Sequence, residues 1–293
     1  MPSLKDLRRR IVSVKSTRQI TRAMKLVAAA KLRKSQEHIV RLRPYAFRIG
    51  DMIAELARDV DQSTHPLLAV REPKRSLLLV LTSDKGLAGA FNANANKAAM
   101  TWVTEHEAER ELIEVHVVGK KGREYFKRRP VNLGHVFTDV LPDVELGDAA
   151  RIGRAVVASY LDGQFDEVYI VYNEFKSAIA QDTQVERLLP MVPENHDIND
   201  DVLVPPSSDT LFEPTRGMVL EALLPRHVTV QIFRCLLESV ASEMGARMTA
   251  MEAATKNASE LIGKLTLKYN RARQAAITTE LMEITSGAES LKG

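Results

Sequence analysis

The sequence predicts an α/β protein: a long antiparallel coiled coil from the N- and C-terminal helices plus a Rossmann-like doubly wound α/β domain. Three observations carry that prediction. Beyond Pro225, the last 68 residues keep apolar side chains at alternating spacings of three and four, the pattern of a coiled-coil seam. The first 58 residues keep the same spacing, so each long amphipathic helix offers the other a partner. Between them, an uninterrupted aliphatic run at 76–82 opens an alternation of strand-like and helix-like stretches, as in a parallel sheet covered by helices. The expected divisions are 1–58 for the N-terminal coiled-coil helix, 75–210 for the α/β domain and 211–293 for the C-terminal helix.

In the N-terminal helix, Leu4, Leu7, Ile11, Val14, Ala28, Leu32, Ile39, Leu42, Ile49, Ile53 and Leu56 fall on one lattice. Arg18, Thr21, Lys25 and Ser35 interrupt it, and beside the interruption Ile20, Met24 and Val27 form a shifted stripe. Residues 1–43 hold thirteen Lys or Arg against Asp6 and Glu37, which is +11 in a chain of net charge +3 and leaves −8 for the rest. A basic arm invites a nucleic-acid reading. A disordered basic tail would show no seam, and residues 1–44 contain no Phe, Tyr or Trp on which a base could stack. A solvated helix face and a basic shaft held by acidic protein surfaces are the other readings.

Residues 58–74 are polar, with Pro66 and Pro73, and read as a linker. The run 76–82 is a strand buried on both faces, followed by a loop at 83–92 and a helix reaching about residue 111. A second strand at 113–118 leads through the turn 119–122 (Gly-Lys-Lys-Gly) into a helix at 123–128. A third strand at 131–137, a helix at 148–163 and a central strand at 167–172 follow. Residues 178–181 are expected to form a hairpin with 185–189, and the acidic stretch 194–209, with Pro205 and Pro206, an exposed loop.

None of this carries a catalytic constellation. Gly86 and Gly89 do not make the three-glycine dinucleotide fingerprint, so a dinucleotide enzyme lacks its motif. The 119–122 turn lacks the spacing and the Ser/Thr of a nucleotide P-loop. Both loops therefore read as tight strand-to-helix turns. The seven histidines are scattered without metal-ligand spacing, and no cofactor is expected. The single cysteine, Cys235, sits among Phe233, Leu236 and Leu237, which makes it a core thiol. No run approaches the ~18 to 20 apolar residues of a membrane span, and a secretory signal is not expected.

In the C-terminal helix, positions 237, 240, 244, 247, 251, 254, 258, 261, 265, 268, 272, 275, 279 and 282 are apolar in eleven cases of fourteen. Alanines at 254, 258, 272 and 275, like those at 28–30, allow close approach of two helices. Sixty helical residues would span roughly 90 Å at ~1.5 Å per residue, too long for the interior of a compact body with a radius of gyration of about 19 Å. If Pro44 and Pro225 both break helical continuity at one level, then Leu4 lies opposite Leu265, Met24 opposite Gly245 and Leu32 opposite Leu237. Residues 269–288 would then stand as a single helix with a bare stripe of Ile277, Leu281 and Ile284.

The two ends also carry a motif. The stretch 277–290, with Ile277-Thr278, Glu280, Glu283 and Gly287-Ala288, resembles the C-terminal signature of the gamma subunit family of F-type ATP synthases. The region 11–36, with Ser16-Thr17, Gln19-Ile20-Thr21 and Ala23-Met24, is similar to that family's N-terminal helix. The loop 83–92 and the segment 242–253, with Ala246-Arg247-Met248, match as well. The resemblance implies a non-catalytic central rotor shaft. In the family, the paired terminal helices stand in a ring of three alpha and three beta subunits, and the α/β domain meets the epsilon subunit and the membrane c ring. Proton flow turns the shaft, and its asymmetry drives the beta sites through their states. By position, the resemblance assigns Arg22, Met24, Lys25 and Arg247 to the shaft zone facing the beta levers. It assigns Arg273, Gln274, Thr278, Glu280 and Glu283 to the upper contact zone, and Phe212 and Glu213 to the foot on the c-ring and epsilon side. It implies a peripheral location on the cytoplasmic face of a bacterial inner membrane, and no nucleic-acid partner.

Overall fold

The computed structural model describes residues 3–58, 65–191, 213 and 215–290. The described residues form ten elements in the order α1 (Leu4–Arg58), β1 (Arg75–Leu81), α2 (Phe91–His106), β2 (Leu112–Val118), α3 (Lys120–Phe126), β3 (Asn132–Phe137), α4 (Leu146–Leu161), β4 (Glu167–Phe175), β5 (Gln181–Leu189) and α5 (Arg216–Ser290). They fall into two units. One comprises Met1–Ala28 with Met248–Gly293, and the other Ala29–Arg247.

The larger unit is built on one five-stranded sheet in the order β3-β2-β1-β4-β5. The first four strands are parallel, and β5 is antiparallel to β4. β1 lies in the middle, which its sequence requires: Leu77 to Leu81 are aliphatic throughout and have no exposed face. Each such side chain contributes about 2 kcal/mol through burial. On one side Leu78, Val80, Val115, Val117 and Val171 pack with Ala99, Trp102 and Val103 of α2 and Phe126 of α3. α4 packs closely on α5 at Gly153, where a side chain would meet Thr229 at 3.0 Å and Ile232 at 3.7 Å.

At the N-terminal ends of the strands the backbone is fastened by buried acids. The Asp166 carboxylate accepts the amides of Lys74 at 3.2 Å and Arg75 at 2.8 Å. Burial opposes its ionisation, but the hydrogen bonds and charge of Arg75 hold it below the usual carboxylate range. Beside it, Glu167 accepts from Arg110 Nε at 2.9 Å and from the Ser76 hydroxyl at 2.6 Å.

The C-terminal ends of the strands, where an open α/β sheet offers a ligand crevice, are filled by the chain itself. The Asp84 carboxylate takes the amides of Lys120 (2.8 Å) and Asp139 (2.9 Å), the donors a phosphate would need. The Thr82 hydroxyl donates to the Val118 carbonyl at 2.7 Å and accepts the Gly122 amide at 2.9 Å. Gly119 has φ +98°, and a side chain there would strike the Thr82 carbonyl. Ser242 of α5 donates to the Asn173 carbonyl at the end of β4, 2.8 Å away. The 119–122 segment is a turn whose four amides are already used, by the Phe137 carbonyl, Asp84, the Ser83 carbonyl and Thr82.

Several local expectations are corrected. Pro44 and Pro225 both lie inside helices, so neither marks the base of a rod. The first turn of α3 begins at Lys120, within the expected Gly-Lys-Lys-Gly turn. The partner of 185–189 is β4 rather than 178–181, of which 178–180 lie in the connection and Gln181 opens β5; Val171 pairs with Val185. Within the expected polar linker, Leu67 and Leu68 are buried. The acidic stretch 194–209 lies outside the described residues.

In the smaller unit α1 and α5 run antiparallel, with Leu7 and Ala28 buried opposite Met251 and Ala258. Two polar contacts set the register. The hydroxyls of Thr21 and Thr255 are 2.7 Å apart, and Lys25 Nζ lies 2.7 Å from Glu252. Thr21 thus faces Thr255 rather than Met248, one heptad beyond the expected register. In the larger unit the same helices are offset less, with the Ser35 hydroxyl donating to the Leu237 carbonyl at 3.0 Å. Gly245, expected opposite Met24, instead packs under Phe175 (3.2 Å) and Ala178 (3.3 Å). Of the expected α5 seam, Met251, Ala258, Leu265 and Ala272 are covered, while the alternate positions move by one residue. Ile262, Tyr269 and Ala276 are half-buried, whereas Leu261, Lys268 and Ala275 are exposed.

Candidate interaction surfaces of the paired helices

Three surfaces emerge from these elements. The first is the C-terminal end of α5. From Ile277 to Gly287 every side chain is exposed, including Ile277, Leu281, Met282 and Ile284. An apolar helix end this bare is the kind of surface that marks interaction sites in general. Arg273, Gln274, Thr278, Glu280 and Glu283 are all exposed there. The Thr278 hydroxyl donates to the Gln274 carbonyl at 2.9 Å, so its donor is already engaged within the helix. The unpaired stretch begins later than expected, because the shifted register leaves Tyr269, Ala272 and Ala276 half-buried.

The second surface is the outer face of α1 in the smaller unit. Thr21 is buried in the seam, while Ile20 is 56% exposed and Val27 58% exposed. The stripe of Ile20, Met24 and Val27 is therefore no alternative seam: only Met24 is half-buried. Val12, Ile20, Leu26 and Val27 form an apolar face turned away from α5, edged by the exposed cations Arg8, Arg9, Lys15 and Arg22. Sequence reasoning missed this face, although apolar residues off the seam lattice were its signal. Lys25 is half-buried and paired with Glu252.

The third surface is the loop 83–90 of the larger unit with the segment of α5 against it. Leu87 is exposed at φ +67°, a conformation L residues other than Asn and Asp rarely take. Arg247 lies alongside, donating from Nη1 to the Gly86 carbonyl at 3.0 Å and from Nη2 to Glu243. Its side chain is 11% exposed, so it faces inward. Of the foot residues, Glu213 is exposed and Phe212 lies outside the described residues. The Cys235 thiol is fully buried and pushed up to about 12 by desolvation, which makes it inert.

Among the described residues, no cluster of acids, histidines or cysteines has the makings of a metal site. No described helix is long and apolar enough to cross a membrane.

Comparison with known proteins agrees with this architecture. The family model described as ATP synthase matches residues 3–291. The chain is 52% identical to the ATP synthase gamma chain of Geobacter metallireducens and 51% identical to that of Geotalea daltonii, with all of each chain covered. Among solved structures, it resembles a chain of the central stalk and c ring of Tetrahymena thermophila mitochondrial ATP synthase at a TM-score of 0.61 and 25% identity. That match covers 80% of this chain and 99% of the other. A chain of the Euglena gracilis mitochondrial ATP synthase has the same fold at a TM-score of 0.66 and 20% identity, covering 98% of this chain and 94% of its own. A family match over nearly the whole chain, with relatives half identical from end to end, places this protein in the ATP synthase gamma chain family.

Proposed function

We propose that this chain is the central rotor shaft of an F-type ATP synthase. It couples proton-driven rotation of the membrane c ring to ATP synthesis at the beta-subunit sites, and ATP hydrolysis to the reverse rotation. It is a non-catalytic subunit. Its partners are the alpha and beta subunits, the epsilon subunit and the c ring, and it works as a peripheral subunit at the cytoplasmic face of a bacterial inner membrane. The observation that carries this reading is the bare end of α5, Ile277 to Gly287, on a chain matched end to end by gamma chains. A single helix with exposed Ile, Leu and Met side chains is marginal in water and calls for an enclosing partner.

The contacts follow the chemistry of each surface. Arg273, Gln274, Thr278, Glu280 and Glu283 would meet the ring around the tip, with Ile277, Leu281 and Ile284 as its apolar bearing. Arg22 and Met24, with the apolar outer face of α1, would meet the beta levers lower down. Lys25 can contribute by exchanging Glu252 for an acid of the ring, because an exposed ion pair of this kind is worth under about 1 kcal/mol. Glu213 and Phe212 would form the foot toward epsilon and the c ring.

Co-expression with alpha and beta subunits tests the proposal. A stoichiometric complex should form, with ATPase activity that the gamma chain alone lacks. A chain that stays separate from alpha and beta, or that binds duplex DNA with a salt-dependent affinity instead, would overturn it.

A further inference from the structure

Arg247 is assigned by resemblance to a surface facing the ring, yet its guanidinium is used inside the larger unit. We infer that Glu243, Arg247 and the Gly86 carbonyl form a clasp that fixes the loop 83–90 against α5, making Arg247 a positioning residue rather than a contact cation. The inference concerns the chain's own conformation and does not rest on the rotor reading.

The chemistry makes the clasp costly to open. Glu243 is 2% exposed. One carboxylate oxygen accepts from Arg247, while the other, Oε2, is buried without a hydrogen-bond partner among the described residues. Burial pushes the carboxyl toward its neutral form, and Arg247 is the main opposing influence. Withdrawing Arg247 would therefore leave a buried, uncompensated carboxylate, which is far costlier than parting an exposed pair. An acid on a partner could take Lys25 from Glu252 more easily than Arg247 from Glu243.

The loop needs such a fastening. Its ends are held elsewhere: the Ser83 amide donates to Asn92 Oδ1 at 2.9 Å, and the Asp84 carboxylate accepts the amides of Lys120 and Asp139. Between them, Leu87 sits at φ +67° and Gly89 at φ +54°, and a strained residue persists only where its surroundings hold it. The Gly86 carbonyl, adjacent to Leu87, is held by Arg247, and Gly89 lies against the Ala246 carbonyl of the same helical turn, 3.8 Å from where a Cβ would be. The clasp thus keeps the exposed Leu87 side chain in one place.

Amide hydrogen exchange of the full chain tests this, with the β1 amides as internal reference. In Arg247→Gln and in Glu243→Gln, the Phe91 amide, which closes the loop by donating to the Ala88 carbonyl at 3.1 Å, should exchange about tenfold faster while β1 stays protected. The double variant should exchange no faster than the worse single one, because the parts act as a unit. Arg247→Lys keeps the charge beside Glu243 but lacks the forked guanidinium needed to reach two acceptors, so it should free the loop without unfolding the sheet. In a complex with alpha and beta subunits, the protection of the Phe91 amide should persist in the wild-type chain. Loop exchange within twofold of wild type in the single variants would overturn the clasp. So would equal acceleration of loop and β1, and loss of loop protection on assembly would overturn the inward role of Arg247.

Discussion

β1 and the end of α5 are both aliphatic, and they have opposite fates. Leu77 to Leu81 sit in the middle of the sheet with helices on either side, and all five are fully buried. Ile277, Leu281 and Ile284 lie on a helix that has outrun its partner, and all three are exposed. The difference is in what each stretch has available to cover it. The strand is enclosed by elements of its own chain, whereas none of the described residues covers the tip of α5. Burial inside a chain yields stability; apolar surface left bare by the same chain is held in reserve for another molecule.

That contrast can be broken most decisively by hydrogen exchange. The amides of β1 open only with the whole domain, whereas those of Ile277 to Gly287 need only local fraying. Their rates should differ by roughly three orders of magnitude or more in the free chain. On assembly with alpha and beta subunits the tip should slow toward the strand. Strong protection of the tip in the free chain would mean that something in this chain covers it.

Mutation sharpens the same comparison on the energy scale. Leu79→Ala should cost about 2–5 kcal/mol of unfolding free energy, from lost burial and a cavity. Leu281→Ala should change the stability of the free chain by less than about 0.5 kcal/mol. Urea titration measures both, and equal losses would erase the distinction. A smaller effect is expected in the seam, which stands between the two extremes. Thr21→Val removes the hydroxyl that pairs with Thr255 and should cost about 1 kcal/mol. Thr21→Val combined with Thr255→Val should recover part of that loss, and full additivity would show that the hydroxyls do not interact.

The smallest effect concerns pH at the base of the sheet. Asp166 is held below its ordinary value in the folded chain, so its contribution is complete above the unfolded carboxylate value of about 3.9. It is lost as pH falls through that value toward the folded one. Asp166→Asn should flatten the acid limb of the stability curve below about pH 4 and leave the tip's exchange unchanged. An unaltered acid limb would mean that the Arg75 contact contributes nothing.

Much of this molecule follows from its sequence alone. Two long helices are determined by the 3-4 spacing of apolar residues, and the central strand by a run with no polar face. The gamma-chain character is carried by the 277–290 motif. The bare apolar stripe of the tip was also legible, since Ile277, Leu281 and Ile284 share one helical face. Only the tertiary structure decided the register, and the reason is physical. A seam with apolar residues at spacings of three and four looks nearly the same after a slip of one heptad. Prolines that the two helices absorb could not set it, whereas the Thr21–Thr255 and Lys25–Glu252 contacts do. The inward turn of Arg247 was likewise beyond the sequence. Its charge and its helix position are local facts, but the carbonyl that captures it belongs to Gly86, in a loop brought beside α5 by the packing of the sheet.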